Sequence, residues 1–288
     1  MIAEHAGQFP VRRMCKVLSV SPSSYYAWRQ QPASQRQQAD HKLLAAIRRE
    51  HEASRRTYGS PRIHAALKRQ GFEVGRKRIA GLMQANGIVG KVPKRKRPVT
   101  TQRAAGGLVT PNLLAQDFTA SAPNQKWLAD ITYIDTAQGW SYLALVLDLF
   151  ARRIVGWALA DHMRAELVEN ALLMALGRRL PGPGLLHHSD QGGQFTSWLI
   201  QSLLADHHIQ VSMSDAGNCF DNAPMESFIG TLKTECVTFQ FTTRAEARST
   251  IFEYIEVWYN NHRLHSSLDY MTPAEFEGQY FYPLESVR

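Results

Sequence analysis

The sequence predicts all-α, basic segments followed by a larger α/β domain, and three observations carry that prediction. Charge is partitioned: residues 1–110 hold 22 Lys/Arg against 5 Asp/Glu, whereas residues 111–288 hold 11 against 20, joining a half of net +17 to one of net −9. Apolar residues follow helical spacing through the basic half. Beyond residue 120 short, apolar, β-branched runs separated by turn residues take over. A basic half joined to an acidic one points to a polyanion for the first and different work for the second. With 44% hydrophobic residues in 288, the chain can bury a real core and is long enough for about two domains. Cys15, Cys219 and Cys236 form no CxxC pair, which excludes a disulfide-stapled module and a zinc ribbon. There is no basic-then-apolar leader, and the longest apolar run, residues 142–150, is broken by Asp148 and falls far short of the ~20 residues of a membrane helix. A soluble protein of a reducing compartment, with no membrane partner, is expected.

Residues 1–30 are read as a helix-turn-helix segment. Val11, Met14, Cys15 and Leu18 mark one face of a first helix, and Ser21-Pro22 caps a second, over 22–29, exposing Ser23, Ser24, Tyr25 and Arg29. Residues 30–38, rich in Gln, Ala and Ser, are read as a linker. Residues 41–98 form a second basic helical unit. Leu43, Leu44 and Ile47 stripe its first helix, Ser60-Pro61 starts its second, and a third spans 76–86 with Ile79, Leu82 and Met83 inward and Gly87 as its stop. Its candidate DNA contacts are Arg62, Arg76, Lys77 and Arg78, with Lys94, Arg95, Lys96 and Arg97 on a charged arm (KVPKRKR) suited to phosphates. Residues 99–120 read as an interdomain linker.

A domain over 121–280 follows. Strands are expected over 127–136, 142–147 and 153–159, with turns between them tight enough for an antiparallel meander. An amphipathic helix over 165–179 ends at Pro181-Gly182-Pro183-Gly184. A strand over 185–189, a helix over 197–207, a strand over 211–214 and helices over 223–235 and 244–260 complete the series. Three strands, helix, strand, helix, strand, helix is the element order of a ribonuclease H-like domain.

Within this order three carboxylates stand at the ends of different elements. Asp130 closes WLAD on the first strand, Asp190 ends the fourth strand in HHSDQGGQF, and Glu226 lies on the helix after the fifth strand in NAPMESFIGTLKTE, with thirty-five residues between it and Asp190. Phosphoryl transfer from a phosphodiester needs an activated nucleophilic oxygen and a stabilised leaving oxygen. Two Mg²⁺ ions about 3.5–4 Å apart do both, and such hard cations want carboxylate oxygens. Asp130 can also be read as a solvated strand-end acid, Asp190 as the start of the Gly192-Gly193 turn, and Glu226 as an acid favoured by a helix N-terminus. Asp135 is the rival of Asp130, and an ideal strand sends the two to opposite faces. Lys233 lies two helical turns after Glu226, on the same face. Asn218, Asp221 and Asn222 read as loop-ordering or DNA-near residues. His187, His188, His207 and His208 make no zinc set without cysteine partners, and no GxSxG elbow supports a hydrolase triad.

The acids and their flanking motifs resemble the DD(35)E catalytic core of retroviral integrases and bacterial insertion-sequence transposases. Residues 41–98 and 120–278 more closely resemble the OrfB product of insertion sequences whose full transposase is an OrfA–OrfB frameshift fusion. The motifs are WLADITYI (127–134), DLFARRIVGW (148–157), HSDQGGQF (188–195), DNAPMESFIGTLKTE (221–235) and YNNHRLHSSL…TPA (259–274), with YGSPRI (58–63) and RKRIAGLM (76–83) in the basic unit. The resemblance implies a transposase in which Asp130, Asp190 and Glu226 hold two Mg²⁺, with Mn²⁺ as a substitute. Lys233 would contact DNA near the scissile phosphate. It further implies duplex DNA as substrate, a homo-oligomer in the active complex, an OrfA partner or fusion, a bacterial cytoplasm with nucleoid association, and a circular intermediate formed by strand bridging. Two other readings stay open: a metal-dependent nuclease that cuts without joining, and a catalytically idle DNA-binding regulator made from the OrfB frame alone. The chain shows no leucine-zipper heptad of the kind OrfA contributes.

Overall fold

The computed structural model describes residues 1–30, 34–92, 110–215 and 218–282. Lys94, Arg95, Lys96, Arg97 and residues 99–109 of the expected linker lie outside the described residues.

The first helices are α1 (Ile2–His5), α2 (Val11–Val17) and α3 (Pro22–Gln30). Ser19 turns the chain between the last two at a φ of 53°. Tyr25, expected on the exposed face of α3, is instead buried. Cys15 is the one buried residue α2 offers, so α3 must supply a large apolar body to close the pair, and the Tyr25 ring is that body. The segment read as a linker also differs. Helix α4 (Gln35–Ala53) begins inside it, because Ser34 and Gln37 form a reciprocal capping box. The Ser34 hydroxyl accepts from the Gln37 amide at 3.2 Å, and Gln37 Oε1 accepts from the Ser34 amide at 2.8 Å.

Helices α5 (Ser60–Arg69) and α6 (Arg76–Ala85) pack on α4 around Leu43, Ile47, Ile63, Leu67, Ile79 and Met83. This core is continuous with that of the α/β domain. The Tyr58 hydroxyl accepts from the Leu264 amide at 2.7 Å, Arg55 pairs with Glu253, and Arg69 pairs with Glu275 at 2.5 Å.

The α/β domain is built on β1 (Lys126–Ile134), β2 (Ser141–Asp148), β3 (Arg153–Ala160), β4 (Leu186–Ser189) and β5 (Gln210–Met213), in the order β3-β2-β1-β4-β5. The first three strands form the expected antiparallel meander, while β4 and β5 join β1 in parallel. One face carries Trp127, Ala129, Ala144, Val146 and Val155 under α7 (Ala165–Arg179) and α8 (Trp198–Asp206). The other carries Leu128, Ile134, Leu143, Leu145 and Leu147 under α9 (Ala223–Glu235) and α10 (Arg244–Phe252). Gly156 lets α7 lie against β3: a Cβ there would stand 2.2 Å from the Ala171 carbonyl oxygen.

The helix expected over 244–260 is not regular throughout. After α10 it widens into π turns over Glu253–Tyr259, which turn Tyr254, Ile255, Trp258 and Tyr259 all inward. A further helix, α11 (Pro273–Phe281), is capped by Thr272 and Glu275. It is held by Glu277, which pairs with Arg153 and Arg179, the latter also reaching Asp148 at 3.3 Å. The last part of the expected linker belongs to this domain as well. Leu114 is buried, and the Ser212 hydroxyl accepts from the Leu113 and Leu114 amides at 2.9 and 3.1 Å, so these backbone groups are committed to packing. No described helix is long and apolar enough to cross a membrane.

Candidate active site

Alternation along β1 separates Asp130 from Asp135. Asp130 shares the face of Leu128 and Ile134, the face on which α9 packs. Asp135 falls beyond the strand's end, exposed, and accepts from Gln240 Nε2 at 3.0 Å. The parallel β1–β4 register pairs Leu128 with His188, and continued two residues along it sets Asp130 beside Asp190. Glu226 arrives on the first turn of α9, whose seat is fixed by the loop before it. Asp221 is the hub of that loop: its two carboxylate oxygens accept from Gln116 Nε2, Asn218 Nδ2, Asn112 Nδ2 and the Asp215 amide, all within 3.0 Å. Asn222 then donates to the Ala129 carbonyl at 3.3 Å, tying the start of α9 to β1 one residue from Asp130.

The electrostatics follow from this placement. Burial, then the charge of Asp190 and, more weakly, that of Glu226 push the Asp130 carboxyl up from 3.8 to about 7. The Ile131 amide, which donates to Asp130 Oδ1 at 2.7 Å, and the charge of Lys233 work in the opposite direction. Partial burial also raises Glu226. Asp190 is oriented by the turn after it, accepting from the Gly192 amide at 3.0 Å. Among the described residues, no group of three His, Cys, Asp or Glu side chains is gathered closely enough to hold an ion. The three acids share a field without forming a closed ligand set. Their donors are all hard carboxylate oxygens, and mutual repulsion is what a divalent cation relieves, so the donor chemistry fits one.

The expected basic contacts fall in different settings. Arg76 and Lys77 are exposed in the first turn of α6, where the helix dipole disfavours cations, whereas Arg78 is half-buried and paired with Asp40 at 2.7 Å. Arg62 points into the junction with the α/β domain, its Nε donating to the Leu264 carbonyl at 3.0 Å. His188 is a structural residue, bonded to the Ser212 and Ser214 hydroxyls at 2.8 and 3.0 Å. His187 is buried and held neutral, its pKa lowered to about 4 by burial.

Comparison with known proteins places these features among relatives. Two integrase core domain families match residues 120–219 and 226–281, and an HTH-like domain family matches residues 37–96. The helix-turn-helix expectation thus finds its family match in the second basic unit rather than in residues 1–30. The chain is 44% identical to the "Insertion element IS600 uncharacterized 31 kDa protein" of Shigella sonnei, over 93% of this chain and 98% of that one. It is 41% identical to the "Transposase InsF for insertion sequence IS3A" of Escherichia coli (strain K12), over 96% and 97%. Among solved structures it is similar to the simian T-cell lymphotropic virus intasome in complex with PP2A regulatory subunit B56 gamma, with a TM-score of 0.46, 14% identity, and 80% of this chain and 74% of that one covered. The HTLV-2 integrase catalytic core domain in complex with magnesium (trimeric form) gives a TM-score of 0.41 and 16% identity, over 55% and 99%.

Proposed function

The chain belongs to the InsF-type transposase family of IS3 insertion sequences, and from that premise we propose how its residues carry out the reaction. It is a DDE-type polynucleotidyl transferase with a ribonuclease H-like, integrase-type catalytic domain. Asp130, Asp190 and Glu226 are its catalytic acids, and they are the residues that would hold two Mg²⁺ ions, with Mn²⁺ able to replace them. The observation that carries this reading is the shared field: Asp130, raised to about 7 first by burial and then by Asp190 and Glu226, is eased by Lys233. Bound divalent cations would supply an acidified attacking hydroxyl and a stabilised leaving oxygen.

What the chain itself contributes is positioning. Asp130 and Asp190, on neighbouring parallel strands, fix two acids on the sheet. Glu226, on a helix anchored through Asn222 to the Ala129 carbonyl, would supply the third carboxylate that holds the cations. Lys233, two turns along, binds the DNA backbone beside the scissile phosphate. Water attacks first and leaves a 3′-OH at the element end; that 3′-OH then attacks a second phosphodiester, so each bond formed replaces one broken. No covalent protein–DNA intermediate is required. The HTH-like unit, with Arg76 and Lys77, binds the duplex electrostatically, and the active complex is a homo-oligomer that acts with an OrfA partner or as an OrfA–OrfB fusion.

The experiment is an assay of the chain with its OrfA partner on a plasmid carrying the element's two ends, with Mg²⁺ or Mn²⁺. Free 3′-OH ends and joined strands are both expected. Cut ends that never join would favour a simple nuclease.

A further inference from the structure

Three arginines from separate parts of the chain converge on one cavity away from the three acids. The cavity, of about 340 Å³, is lined by Arg62 of α5, Arg152 of the β2–β3 turn and Arg263 and His265 of the segment after the π turns. Its opposite wall is the Ser227 and Thr231 face of α9. These arginines stand in YGSPRI, DLFARRIVGW and YNNHRLHSSL, motifs that the chemistry of the acids leaves without a task.

The charges around the cavity do not balance. Arg263 is buried and forks onto Glu235, Nε at 2.9 Å and Nη2 at 2.7 Å, which occupies both carboxylate oxygens. Neither Arg62 nor Arg152 has a carboxylate within ion-pair distance among the described residues. Both guanidinium groups are half-buried, and burial lowers the pKa of each. Burying a cation without a counter-charge is costly, and removing water from two of them around one cavity calls for an anion. A further group points the same way. His265 is 8% exposed, its Nε2 has no hydrogen-bond partner, and burial, then the charges of the three arginines, hold the ring neutral. A neutral ring can present an N–H to an anion without adding to the repulsion.

We infer that this cavity is a subsite for a backbone phosphate of the DNA strand that enters the active site, an inference that rests on the transposase reading above. Guanidinium forks match the paired oxygens of a phosphodiester. The location fits such a strand, since Ser227 directly follows Glu226 and the cavity lies on the face of α9 adjacent to the one carrying Glu226 and Lys233. A scissile phosphate at the acids and a flanking phosphate in the cavity would grip one strand on two sides of a single helix. Because Arg62 belongs to the HTH-like unit, the same phosphate would also join that unit to the catalytic domain.

The test uses the full chain and a fluorescein-labelled duplex carrying a terminal repeat of the element. Affinity is measured by anisotropy in EDTA across a salt series. Arg152→Gln is expected to bind about tenfold more weakly and to reduce the log–log salt slope by about one, the signature of one lost phosphate contact. Arg152→Lys, which keeps the charge and loses the fork, should fall between. Arg164→Gln, an exposed arginine at the start of α7, should behave as wild type. Melting of Arg152→Gln should occur no lower than wild type, because no protein–protein bond is lost. A wild-type slope for Arg152→Gln, or an equal loss for Arg164→Gln, overturns the subsite. If the wild-type chain, supplied with its OrfA partner, binds the duplex yet neither cuts nor joins it with Mn²⁺, the transposase reading fails and the inference falls with it. Wild-type activity with an unchanged Arg152→Gln slope removes the subsite alone.

Discussion

Asp130 ionises against the resistance of its surroundings, and that resistance is measurable. Its carboxyl is raised from 3.8 to about 7, so in the metal-free protein it favours folding below pH ~4, and that contribution is lost as pH rises toward 7. Asp130→Asn removes the ionisation. The variant should therefore melt above wild type in EDTA at pH 8, by an amount bounded on the order of 4 kcal/mol, and the advantage should vanish near pH 4. An unchanged difference between the two pH values would mean that the site does not burden Asp130. Activity runs the other way: at limiting Mn²⁺, which binds the ionised carboxylate, cleavage should fall as pH drops below about 7. Lys233 acts on this carboxyl as well as on DNA. Lys233→Ala should move the limiting-metal pH profile to higher pH and weaken strand transfer roughly ten- to a hundredfold, as expected for a lost charge-assisted hydrogen bond. Lys233→Arg should restore most of both. Lys126→Ala, whose lysine pairs with Asp117 at 2.7 Å, is the control, and equal losses from the two alanine variants would return Lys233 to an ordinary surface role.

The elements that carry the acids are held by close packing, and here the sequence was informative in an uneven way. Strands β1–β5 and α9 were legible because alternating apolar runs, turn residues and the Asn-Ala-Pro start of α9 are local signals. The start of α4 lies in a Gln-, Ala- and Ser-rich stretch whose composition reads as linker, although the Ser34–Gln37 box is a local helix signal. Helix α11 has the same kind of local signal in Thr272, Pro273 and Glu275, outside the helices expected from apolar spacing. The π turns over Glu253–Tyr259 have no local signature and arise from four large side chains competing for one core. For the site, strand alternation separates Asp130 from Asp135 and the WLAD motif favours Asp130, but the anchoring of Asn222 on Ala129 and the meeting of three arginines depend on contacts across the fold. Gly156 gives the packing a direct check. Gly156→Ala places a Cβ 2.2 Å from the Ala171 carbonyl oxygen and should destabilise by ~1–3 kcal/mol or more by forcing α7 off β3. A variant melting at the wild-type temperature would show that α7 is free to shift.

Across the whole molecule, a basic helical unit is fused to an acidic catalytic domain through a shared core rather than a loose tether. Tyr58, Leu67 and Ile79 belong to the same buried cluster as Tyr254 and Leu264. A fragment ending at residue 110 would therefore expose apolar surface, and the DNA contacts of the basic unit are better probed in the intact chain. Arg76→Gln with Lys77→Gln should reduce the log–log salt slope of duplex binding by about two while leaving the melting temperature at or above wild type, since the first turn of α6 disfavours cations. No change in slope would place the DNA elsewhere on this half. The central claim is that one group of three acids serves both cleavage and joining. Asp130→Ala, Asp190→Ala and Glu226→Ala should each abolish cleavage of an uncut element end and also transfer of a pre-cleaved 3′-OH end, with duplex affinity in EDTA equal to or above wild type. If any one of the three joined the pre-cleaved end at the wild-type rate, a single shared site would be contradicted.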